Sequence, residues 1–74
     1  MEPEEWIAAF AAELGAEAPS PEQIDQMLKL ASVAAHSSER IAAPVACWIA
    51  GRAGTDLTVA RELAETIAPQ SPPD

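Results

Sequence analysis

The 74-residue sequence predicts an all-α fold, a small four-helix bundle followed by a disordered Pro-rich C-terminal tail. Three observations carry this. Large apolar residues recur at three- and four-residue steps through four segments, and glycine, proline and serine punctuate the segments where helices start and stop. No stretch alternates apolar and polar residues as a half-buried strand would. Connections of a few residues then favour antiparallel neighbours in a compact bundle.

The first helix is read over Pro3 to Leu14, where Trp6, Ile7, Phe10 and Leu14 make an apolar stripe between Glu4, Glu5 and Glu13. Acids at its beginning complement the partial positive charge of a helix N-terminus, and Gly15 supplies the left-handed stop. Ser20-Pro21-Glu22-Gln23 is the strongest start signal in the chain: a serine cap, a proline at the first helical position, and Gln23 placed to close a capping box. The second helix runs from there to about Ser37 or Ser38. Ile24, Met27, Leu28 and Ala31 form its stripe, and Leu30 and Val33 widen it enough to predict burial on more than one side.

A third helix is placed near 44–53, since Pro44 disfavours the α region at Ala43 and suits the first turn of a new helix. Val45, Trp48, Ile49 and Ala53 are its expected inward face, with Trp48 and Trp6 both assigned to core packing. Gly51 either admits a neighbouring helix closely or weakens the turn by about 1 kcal/mol relative to alanine. Gly54 ends the element. Asp56 caps a fourth helix, 57–68, with Val59 or Ala60, Leu63 and Ile67 as its stripe. The domain reading is therefore a single helical domain over residues 1–68, with residues 69–74 as the disordered tail.

Composition bounds the function. Seventeen alanines stand beside 18 larger apolar residues, so the core must be thin. A chain this short buries only about 60% of its unfolded surface, so marginal stability or self-association is expected. Twelve acids against four Lys and Arg give a net charge of −8, which leaves no basic footprint for nucleic acid or an anionic membrane. The acidic start is unlike a signal peptide, and no apolar stretch approaches the roughly 20 residues of a membrane span. Cys47 is the single cysteine, so no intramolecular disulfide or multi-cysteine zinc site can form. A cytoplasmic location is expected. Without a phosphate-cradling glycine loop or a nucleophile–base pair, neither enzymatic activity nor a cofactor is expected.

The charge is unevenly distributed. Residues 1–25 hold seven acids and no base, whereas residues 26–54 hold Lys29, Arg40 and Arg52 against Glu39 alone. His36, Glu39 and Arg40 fall at spacings that bring side chains to one side of a helical turn. Together with Arg52 they form a candidate contact corner for a partner protein or an anion. The plainer alternative is that His36 and Arg40 bond the free carbonyls at a helix end while Glu39 pairs with Arg40 or Arg52 to fix the turn.

Two resemblances bear on function. Gly54-Thr55-Asp56-Leu57 is similar to the Gly-X-Asp-Ser-Leu attachment motif of acyl and peptidyl carrier proteins, but the serine that would carry the phosphopantetheine arm is missing. Trp6-Ile7, the Ala-His-X-X-Glu-Arg-X-X-Ala-Pro run from Ala35 to Pro44, and Gly51-Arg52-Ala53-Gly54 carry the second. With Leu28 to Ala31 and Trp48, they resemble a family of short helical actinobacterial proteins of uncharacterised function. Its members occur alone or joined to a nucleotidyltransferase resembling the molybdenum cofactor guanylyltransferase. This resemblance implies an accessory or protein-interaction module linked to molybdopterin-guanine dinucleotide biosynthesis, with such a nucleotidyltransferase as partner. A small anion- or nucleotide-binding protein and a ligand-free homodimer are the alternatives.

Overall fold

The computed structural model describes residues 1–67, and the expected tail over 69–74 lies outside them. Among the described residues there are four helices and no strand: α1 (Pro3–Leu14), α2 (Pro21–Ser37), α3 (Ala42–Ala53) and α4 (Leu57–Glu65). The all-α fold read from the sequence is the observed one.

Local chemistry sets the boundaries. At α2 the capping box forms as expected: the Ser20 amide donates to Gln23 Oε1 at 2.8 Å, and the Gln23 amide donates to Ser20 Oγ at 3.1 Å. The Glu2 amide donates to Glu5 Oε1 at 3.1 Å in a similar arrangement at α1. Gly15 and Gly54 take the left-handed conformation, φ 71° and 70°, that ends α1 and α3. The Asp56 carboxylate accepts from the Thr58 and Val59 amides at 2.9 and 3.3 Å. The residue that resembles part of a carrier-protein motif is thus occupied as a helix cap.

Two boundaries differ from expectation. Helix α3 begins two residues early, at Ala42, with Ala43 helical. The Ala42 and Ala43 amides donate to the Glu39 and Arg40 carbonyls, building a turn that leaves Pro44 among the first four residues, where no amide partner is needed. Helix α4 ends at Glu65 rather than 68. Thr66 Oγ1 donates to the Leu63 carbonyl at 2.6 Å, and the Thr66 and Ile67 amides make three-residue bonds that tighten the last turn ahead of Pro69.

Helix α2 is the hub, packed against both α3 and α4. Leu30, at its centre, is the most buried residue of the core, 3% exposed, in keeping with the widened stripe. Ala11 and Ala50 are the other buried apolar residues among those described. Helix α1 stands outside this packing and meets the start of α2 across a groove walled by Ile7, Ala8, Pro19 and Ile24. The result is elongated, 44 × 25 × 18 Å. Its radius of gyration is 13.6 Å, against about 11 Å for a compact chain of this length.

The faces turned inward are not the expected ones. On α3 the partly or fully buried positions are Ala42, Ala43, Ala46, Cys47 and Ala50, while Val45, Trp48 and Ile49 point to solvent. On α4 they are Leu57, Ala60, Arg61 and Ala64, with Val59, Leu63 and Ile67 outside. Trp6 and Trp48 are 57% and 62% exposed, so neither is a core residue. Alanine-lined faces let helix backbones approach closely, and here that close approach to α2 has excluded the larger stripes. Gly51 plays no part in it, since a Cβ there would meet nothing within 4 Å. Of the two readings of Gly51, the weakened turn is therefore the one that applies.

Candidate functional site: an outward apolar surface

Two of the outward stripes carry contacts between their exposed side chains. On α1, Trp6 and Phe10 stack with ring centroids 5.2 Å apart and planes 19° from parallel. This is the offset geometry that aromatic quadrupoles favour. Leu14 continues their row. On α3, the Arg52 guanidinium sits over the Trp48 ring, 5.2 Å from its centroid, a cation–π contact between two exposed side chains one turn apart. Val45 and Ile49 complete that row, and Val59 and Leu63 form a third on α4, with Ile67 exposed just beyond its end. Scattered exposed apolar residues are ordinary on a protein surface, whereas here they fall in rows on three helices.

The four residues of the predicted corner divide. His36, Glu39 and Arg40 lie together at the α2–α3 turn, all exposed. Arg52 lies near the other end of α3, about 15 Å along the helix axis from Ala42 at 1.5 Å per residue. His36 is 2.7 Å from the Ser32 carbonyl through Nδ1, which must be the donor because a carbonyl only accepts, and Ser32 Oγ lies 3.2 Å from the same nitrogen. The Ser32 carbonyl lies within α2 and is not one of the free carbonyls at its end, so this bond differs from the one the plainer alternative describes. Neither Arg40 nor Arg52 is ion-paired among the described residues, and Glu39 pairs with neither.

One cation that sequence reasoning passed over has a structural role. Arg61 donates from Nε to Gln26 Oε1 at 3.0 Å and from Nη1 to Glu65 at 2.9 Å, joining α4 to α2. Its spacing in the sequence showed only the contact to Glu65; the bond to Gln26 spans 35 positions. Cys47 is partly buried on the inward face of α3, its thiol directed at the Met27 carbonyl 3.8 Å away, and burial pushes its pKa up. A thiol held protonated is a poor nucleophile.

An open groove of about 650 Å³ lies between the start of α2, the end of α3 and the start of α4. Glu17, Glu22 and Asp56 line it, and its lining includes no lysine or arginine. Its charge therefore opposes a phosphate-bearing ligand. Among the described residues no group of three or more His, Cys, Asp or Glu could hold a metal ion, and no helix is long and apolar enough to cross a membrane.

The family model described as "Domain of unknown function (DUF6457)" matches residues 1–71. The chain belongs to the DUF6457 family. The resemblance to a small uncharacterised helical family is thereby shown across nearly the whole chain. No curated protein and no solved structure matches it. In this DUF6457 member, then, the outward apolar rows with Arg52 are the arrangement with most capacity to act.

Proposed function

We propose that this DUF6457 protein is a non-catalytic protein-interaction module that binds through the outward rows of its helices. The observation that carries this is the inversion on α3: alanines and Cys47 face α2, while Val45, Trp48, Ile49 and the Trp48–Arg52 stack face outward. Tryptophan and arginine are among the side chains most enriched in binding hot spots, and a Trp–Arg pair already in contact has less conformational freedom left to lose. The turn carrying His36, Glu39 and Arg40 adds exposed polar groups suited to the rim of such an interface.

The resemblance noted in the sequence directs the search for a partner to a nucleotidyltransferase of molybdenum cofactor biosynthesis. The test is capture of that enzyme by the tagged chain, compared with a Trp48→Glu variant and an Arg40→Ala, Arg52→Ala variant, each checked for helicity by circular dichroism. Retention by wild type and loss in Trp48→Glu is the expected result. Equal capture by the folded variants would remove the α3 row from the interface, and no capture of a cofactor enzyme by wild type would remove the pathway.

A further inference from the structure

Resting on the reading of the outward rows as an interface, we propose that a second copy of this chain covers two of them, with α1 of each copy lying antiparallel along α3 of the other. Both helices have 12 residues, so each is about 18 Å long, and each presents a single outward row of large side chains. Set antiparallel, the rows match in register: Leu14 meets Ile41, Phe10 meets Val45, and Trp6 meets the Trp48–Ile49 step. The charges at the two ends then fall opposite their complements, Glu13 beside Arg40 and Glu2 beside Arg52.

Three observations favour a second copy over other occupants. Residues 1–25 are acidic without a base, while residues 26–54 are net positive. One chain thus carries both halves of a complementary pair, as a two-fold interface requires. A net charge of −8 opposes self-association in general, and this register is one that sets unlike charges face to face. The area is also sufficient. The six large side chains of the two rows, and Ile41 just ahead of α3, are each half to three-quarters exposed. At roughly 200 Å² per side chain they offer on the order of 800 Å² per copy, which is about what each partner contributes to a stable interface. Finally, α1 meets α2 through Ile7 while turning Trp6, Phe10 and Leu14 away, and α3 turns its row away from α2. Reaching α3 within one chain would cost α1 its place beside Ile24, whereas reaching the partner's α3 would not.

Sedimentation of the full chain, from micromolar to submillimolar concentration, is the test. The expected mass is twice 7.8 kDa, falling to the single value in Trp48→Glu with helicity unchanged. Two charge variants keep the proposal testable should Trp48→Glu fail to fold. Glu13→Lys alone and Arg40→Glu alone each place like charges opposite one another twice per dimer, and each is expected to weaken it roughly three- to tenfold at low salt. Mixing the two variants restores both pairs, so the mixed dimer should regain wild-type affinity. Docking within one chain would show no such rescue. A wild-type chain that stays monomeric, or variants that fail to rescue one another, would overturn the pairing. A monomer that still captures a purified partner through Trp48 overturns the second copy and leaves the interaction module standing. A monomer whose capture is indifferent to Trp48 overturns both.

Discussion

The two sides of α3 differ in a way that organises the molecule. Toward α2 the helix shows Ala43, Ala46, Cys47 and Ala50, residues that bury little area but allow close approach. Toward solvent it shows Val45, Trp48 and Ile49, which would bury far more. The same division recurs on α4 between Ala60 with Ala64 and Val59 with Leu63. In a chain with a generous core the larger residues would face inward, because buried apolar area is the main source of stability. Here the large area is held outside, and the intrachain core rests on Leu30 and a layer of alanine. Under the pairing proposed above, association would complete much of the apolar stabilisation.

The sharpest test of that division is Leu30→Ala. Removing a centrally buried leucine costs about 2–5 kcal/mol, comparable with all that a core of this size supplies, so the variant should be largely unfolded by circular dichroism at 25 °C. Asp56→Ala, which removes the α4 cap, should lower unfolding free energy by about 1 kcal/mol in urea titration without disturbing α2 or α3. Gly51→Ala changes the sign. The site is open and its backbone helical, so a gain of roughly 0.5–1 kcal/mol is expected, and a loss would mean that something does pack against it. On the outward side, Trp48→Ser should move unfolding free energy by no more than about 0.5 kcal/mol when measured at high dilution. A larger loss there would make Trp48 part of the intrachain core.

The smallest expected effect lies at Cys47. Burial raises its pKa, so the folded protein keeps the thiol proton to higher pH than the unfolded chain does. Its contribution is constant below the ordinary thiol pKa and declines as pH rises above it. Wild type should therefore lose slightly more stability between pH 7 and alkaline conditions than Cys47→Ala, read as urea midpoints. Alkylation of the folded thiol at neutral pH should be slower than that of the denatured chain.

Much of the fold was legible because helix ends are local. The Ser20 capping box, the stops at Gly15 and Gly54, and the cap at Asp56 each depend on residues within a few positions, and each formed as read. The errors share one cause. Periodicity reports that an apolar stripe exists and not which neighbour faces it, so the Val45–Trp48–Ile49 row was assigned inward when α2 had selected the alanine side. The four residues of the candidate corner are divided for a related reason. His36, Glu39 and Arg40 are sequence neighbours and stay together, but Arg52 is carried to the far end of a straight α3. The Arg61–Gln26 bond had no sequence signal because its partners are far apart in the chain.

What the amino-acid order determined alone is the all-α class, the helix boundaries to within a few residues, the polarity of charge between the first third and the middle, and the thinness of the core. Those follow from capping, periodicity and composition, which act over one or two turns. Only tertiary structure decided which face of α3 and α4 is inside, that α1 stands apart from the packing of α2 with α3 and α4, and that Trp48 is left exposed beneath Arg52. Two apolar faces on one helix compete for the same neighbour, and the outcome is settled by how closely the backbones can approach, a property of the pair of helices rather than of either sequence.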